Sequence, residues 1–163
     1  VIRLMYMNKL VWHQVALFSI FLGLTLLRVL KGQVSFDLNL IWWWLGGVIG
    51  FLFVFADRLV YAFKSHTGET FSLKLKLMMR SVLFVVVWVI LTILTMTSVA
   101  NTFSRGFMLG LGTHLVFDLG WDYFFSRKDI NSWFWQIKNV TELEKNVFVW
   151  GAFVFYSLTV WFL

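Results

Sequence analysis

Three side chains able to move a proton or hold a cation recur at every fourth residue of one apolar stretch: His114, Asp118 and Asp122. An imidazole and a carboxylate one helical turn apart can share a proton, form an ion pair, or offer a nitrogen and an oxygen to one metal ion. The spacing belongs to a longer row. Stepping by four from Thr102 gives Gly106, Gly110, His114, Asp118, Asp122 and Ser126, all small or polar, while most residues between them are Phe, Leu, Val, Met or Trp. Steps of four trace one ridge of a helix, drifting by about 40° per step. Half of this ridge is bare backbone, and the other half carries ionisable groups. Gly106 and Gly110 form a small-xxx-small pair that lets a second helix approach closely. The ionisable half must face protein or enclosed water, because a carboxylate turned to lipid costs several kcal/mol. Leu109, off the ridge, is expected to face lipid.

A second stretch carries a matching pattern. Gly46, Gly47 and Gly50 lie in its first half, and Asp57 and Arg58 near its far end. Gly46 precedes Arg58 by the same number of residues as Gly110 precedes Asp122. If the two helices run parallel in contact through Gly46, Gly50, Gly106 and Gly110, Arg58 reaches the depth of Asp118 and Asp122. A guanidinium there can neutralise a carboxylate through a two-pronged hydrogen bond. The expected polar centre is therefore His114, Asp118, Asp122, Arg58 and Asp57.

The elements that must position these groups follow from composition. Of 163 residues, 60% are hydrophobic and only 13% charged, with a mean hydropathy of +0.81. A soluble domain is nearer half apolar and a quarter charged, and a chain of 19.2 kDa has too small a core to bury such an excess. Apolar runs near twenty residues match a bilayer core of about 30 Å. The expectation is an all-α fold: a polytopic transmembrane bundle of about five spans with short interfacial helices, forming a single integral membrane domain over 1–163. The spans are placed at about 11–30, 40–63, 81–100, 106–125 and 142–163. Thr141 and Glu144 have the spacing of a capping box at the start of the last helix. Trp42, Trp43 and Trp44, and Trp133, Phe134 and Trp135 within an interfacial segment at 131–137, are expected as anchors at the membrane surface. Residues 71–77 alternate in polarity, but a lone strand at a membrane has no pairing partner, so they read as an interfacial lead-in to the third helix.

Charge orients the bundle. With five spans and the N-terminus in the cytoplasm, only Arg28, Lys31 and Arg105 of the fourteen basic residues fall on the opposite side. That asymmetry agrees with the positive-inside rule and requires 106–125 to cross. The expected location is a bacterial cytoplasmic membrane. The net charge of +6 is explained by orientation, so nucleic acid is not an expected partner. Asn139-Val140-Thr141 fits the glycosylation pattern by chance, since this topology places it inside. The chain starts at Val1 and ends within an apolar run, so a non-Met start, a start at Met5 or Met7, or a longer parent chain is expected.

Cysteine is absent, which removes disulfides, thiolate metal sites and a cysteine nucleophile; proline is absent too, removing the commonest helix kink. Phosphate-binding glycine loops and Ser/His/Asp triads are not found. The ridge then admits three readings: a buried ion-pair and hydrogen-bond cluster that fixes helix register, a polar site for an ion, proton or small ligand, or a divalent metal centre using His114 and Asp118. His13 and His66 are placed near an interface and in a polar loop, away from the ridge. The stretch Gly112-Thr113-His114-Leu115-Val116-Phe117-Asp118-Leu119 resembles the His-x-x-x-Asp element of the membrane-bound metal-dependent hydrolase family. That resemblance covers about a dozen residues and implies a metal held by His114 and Asp118. The earlier His-Arg and Thr-His element of that family has no counterpart in this chain. The leading expectation is a small non-enzymatic membrane protein, either a subunit of a homo-oligomer or larger complex or a binding or permeation element; the alternative is a metal-dependent membrane hydrolase.

Overall fold

A computed structural model describes the backbone of residues 2–32, 37–66, 79–98, 101–125 and 127–163, and the side chains among them apart from 2–13, 57–66 and 127–129. The described residues are mostly helical, with turns and bends between the helices and no strands among them. Six helices follow in order: α1 (Ile2–Leu30), α2 (Leu38–His66), α3 (Val82–Thr97), α4 (Thr102–Phe125), α5 (Arg127–Trp133) and α6 (Glu142–Phe162). The stretch Leu38–Ala56 of α2 is long and apolar enough to cross a membrane, and Gln14–Leu30 and Val82–Thr97 are shorter apolar stretches.

Side-chain caps set several of the ends. Ser81 accepts from the Phe84 N–H and starts α3. Asn101 accepts from the Phe103 N–H at 3.0 Å, so α4 begins at Thr102, one turn before the expected 106. The Thr141–Glu144 capping box is formed in both directions at the start of α6. Gly32, at φ 68°, ends α1 in the left-handed conformation that glycine adopts without strain. α2 continues to His66 rather than ending near 63, since no breaker interrupts it. Residues 67–78, including the expected lead-in at 71–77, lie outside the described residues.

α4 is the hub, packing against α1, α2, α3, α5 and α6, with α2 by far its most extensive partner. Having neighbours on every side, it buries residues off the ridge as completely as those on it. Leu109, expected on lipid, is 0% exposed. Close approach is achieved by glycine on several faces: a Cβ at Gly112 would strike the Trp88 ring of α3, and one at Gly120 the Phe153 ring of α6. The Trp88 indole also donates to the Met108 carbonyl at 3.2 Å, tying α3 to α4. The short helix falls at 127–133, earlier than the expected 131–137, and within that range Trp133 is wholly buried rather than an interfacial anchor. Trp43 is likewise buried, whereas its neighbour Trp42 is exposed.

Candidate functional site

The α2–α4 seam is a ladder of backbone contacts. A Cβ added to Gly106 would strike the carbonyl oxygen of Trp43, and one added to Gly110 the carbonyl oxygen of Gly47. One turn further, His114 Nδ1 lies 2.9 Å from the carbonyl oxygen of Phe51. Positions 106, 110 and 114 of α4 thus meet carbonyls 43, 47 and 51 of α2, so the helices run parallel in one register. From the other side, a Cβ at Gly46 would strike the Phe103 carbonyl and one at Gly50 the Phe107 carbonyl. Backbones can approach this closely only because all four positions lack side chains.

The same register fixes the imidazole. A carbonyl oxygen only accepts, so His114 Nδ1 carries a proton and donates it to Phe51. Its ring lies against the Phe51 ring, with centroids 4.6 Å apart. On the other edge, His114 Nε2 is 3.5 Å from Asp118 Oδ2, and both side chains are fully buried. This pair can store one proton in either of two positions: on Nε2, pointing to the carboxylate, or on the carboxyl group, pointing to Nε2. The closing of α4 against its neighbours excludes bulk water from both.

Asp122 is held differently. It forms an ion pair with Arg80, which immediately precedes the Ser81 cap of α3, and accepts from the Trp133 indole at 2.8 Å. The Arg80 guanidinium also lies 5.6 Å from the centre of the Trp133 ring. One carboxylate thereby joins α4 to α5 and to the start of α3. Arg80 and Trp133 were not singled out by sequence reasoning as members of the centre. Their signals were weak: Arg80 stands at the foot of an apolar run, and Trp133 lies eleven residues beyond Asp122 in a segment that reads as surface. The side chains of Asp57 and Arg58 lie outside the described residues, as do those of His13 and His66.

A further bond joins Thr113 to α6, where its hydroxyl lies 2.7 Å from that of Tyr156 while also donating to the Leu109 carbonyl at 2.7 Å. The polar groups of α4 are therefore distributed among its partners: His114 to α2, Thr113 to α6, Asp122 to α5 and α3.

His114 and Asp118 offer two donors among the described residues, fewer than the three protein ligands of a catalytic zinc site. Among the described residues, no three His, Cys, Asp or Glu side chains gather in a way that could hold a metal ion. The Nδ1 bond to a backbone carbonyl resembles the outer support of metal-bound histidines, but here it serves the α2–α4 register. Comparison with protein-family models, with characterised proteins and with solved structures finds no match.

Proposed function

We propose that this chain is a small multi-pass integral membrane protein that acts as a non-enzymatic subunit or as a binding element, with its polar centre on α4 and its seam against α2. In this reading five helices cross a bacterial cytoplasmic membrane with the N-terminus in the cytoplasm, and α5 lies beneath them. What supports it is an inverted distribution of residues. The ionisable side chains His114, Asp118 and Asp122 are buried on the central helix, while large apolar side chains point outward: Leu83, Val86, Ile90 and Leu94 on α3, Trp150 and Leu158 on α6. Apolar surface of that extent on a protein of this size calls for lipid or for partner chains. Satisfied bonds from Asp122 to two other elements favour a role in fixing and presenting a rigid bundle to a second copy or to a larger assembly. A metal-dependent hydrolase reading would need a third ligand.

The chain lacks cysteine, so single-cysteine labelling tests the topology cleanly. Cysteines placed at Asn101 and at Ser126, which bracket α4, are expected to react with an impermeant maleimide from opposite sides of the membrane. The protein should also stay with the membrane through alkaline carbonate washing. Labelling of both positions from the same side overturns the five-span arrangement, and release by carbonate overturns the integral reading altogether.

A further inference from the structure

Far from the His114–Asp122 centre, at the end of the bundle where α1 finishes and α4 begins, lies a group that the polar centre does not use. Arg28, in the last turn of α1, is only 3% exposed. Its Nη2 donates to the carbonyls of Thr159 and Val160 in α6. Its Nε and Nη1 are buried and have no hydrogen-bond partner among the described residues. A buried guanidinium that leaves two donors unmet is a costly arrangement, because water can no longer satisfy them.

The surroundings add positive charge rather than relieving it. Arg105, next to Gly106 in α4, is near enough for its charge to act on Arg28, and its own Nε is also buried without an acceptor. Trp43 joins the two: its carbonyl is the one that Gly106 clears, and its ring lies 5.4 Å from the Arg28 guanidinium. Tyr156 also acts on Arg28, with its hydroxyl already bonded to Thr113. Lys31, one turn beyond Arg28, stands over the Trp161 ring at 4.5 Å. Among the described residues the charged side chain acting on Arg28 is thus another cation, and no ion pair of either arginine with a carboxylate is seen there. In the five-span reading, Arg28, Lys31 and Arg105 are also the three basic residues on the opposite side from all the others.

We infer that this end of the bundle binds a phosphate oxyanion, held by Arg28 and Arg105 with Lys31 at the rim. A guanidinium presents parallel N–H groups that match two oxygens of one phosphate, and two guanidiniums around it supply the countercharge that each lacks. Arg28 is anchored through Nη2, so its remaining N–H groups are held in place before the ligand arrives. Arg105, partly exposed, forms the side from which the ligand enters. The phosphate belongs either to a phospholipid headgroup or to a soluble phosphate. Only the lipid source rests on the membrane reading; the oxyanion chemistry does not.

The test uses the full chain, purified and delipidated in a neutral detergent, with thermal unfolding followed during titration with phosphatidylglycerol, phosphatidylcholine or inorganic phosphate. Variants Arg105→Gln and Lys31→Gln carry the test, because Arg28→Gln also removes the bonds to α6 that hold the fold; Lys138→Gln, an exposed residue elsewhere, controls for net charge. A saturable rise in Tm is expected with an apparent affinity at least tenfold weaker in Arg105→Gln, several-fold weaker in Lys31→Gln and unchanged in Lys138→Gln. A response to phosphatidylglycerol without one to inorganic phosphate assigns the site to a lipid headgroup, and a response to inorganic phosphate alone assigns it to a soluble ligand. Saturable phosphate binding by a protein released from membranes by carbonate would retain this site while overturning the membrane reading. No saturable response to any of the three, or equal responses in Arg105→Gln and the unsubstituted chain, overturns the proposal.

Discussion

α3 and α4 lie side by side, yet their residues are arranged in opposite ways. Every position of α3 from Val82 to Leu94 except Thr92 is apolar, and Leu83, Val86, Val87, Ile90, Ile93 and Leu94 are exposed. α4 carries an imidazole, two carboxylates and four glycines, yet it buries most of its length. Hydrophobicity and burial are therefore decoupled here. The most apolar helix leaves half of its residues exposed, and the one with polar and glycine residues forms the centre. In water the hydrophobic effect would favour the reverse. Where the outside is apolar, burial is instead selected by close backbone approach and by the need of polar groups for partners. α4 offers both, since its glycines admit neighbours and its polar side chains bind them.

Substitutions that exchange these roles test the contrast. The largest effect is expected from Gly110→Leu. A side chain there meets the backbone of Gly47, which cannot move aside without separating the helices, so the loss should reach about 3 kcal/mol or more. Leu94→Val on α3, where the residue is 57% exposed, removes one methylene from a free surface and should change stability by less than about 0.5 kcal/mol. Unfolding in a detergent titration compares the two, and equal midpoints would mean that α4 is no more constrained than α3.

Arg80→Leu should be intermediate. It leaves Asp122 with the Trp133 indole but without its countercharge. Because Arg80 is only part-buried, about 1–3 kcal/mol is expected rather than the full cost of orphaning a buried ion. Adding Asp122→Asn should recover part of the loss, and a double-mutant cycle measures the coupling directly. Additive losses would show that the pair contributes nothing to stability.

His114→Phe should give the smallest loss on α4. Made in an Asp118→Asn background, so that no buried carboxylate loses the imidazole beside it, it keeps the ring against Phe51 but removes the bond to the Phe51 carbonyl, a net contribution of about 1 kcal/mol. The carbonyl still accepts within its own helix, which limits the damage. If the variant proves as disruptive as Gly110→Leu, the imidazole does more than hold register.

Much of this arrangement was legible along the chain. The four-residue step from Thr102 to Asp122 puts the glycines and the ionisable groups on one ridge of a helix. The glycines at 46, 50, 106 and 110 indicate a close parallel seam, and Thr141 with Glu144 marks the start of α6. These features are local: each depends on helical periodicity or on a contact within one turn, and both are fixed by spacing. Composition likewise determined that the described chain would be all-helical.

Tertiary structure alone decided which distant groups meet. Nothing in the spacing says that Asp122 pairs with Arg80 and Trp133, since those residues arrive from different elements and the loop before Arg80 has no periodic constraint. Trp43 and Trp133 read as surface anchors because tryptophan is common at interfaces, but an indole N–H also suits a buried acceptor, and only the packing of neighbours separates the two roles. Leu109 shows the same limit. A ridge identifies one inward face of a helix, whereas the number of neighbours around that helix depends on how the other segments close upon it. The proximity of Arg28 to Arg105 is of this kind as well: no spacing joins the last turn of α1 to the first turn of α4, and only the packing of these helices brought the two near each other.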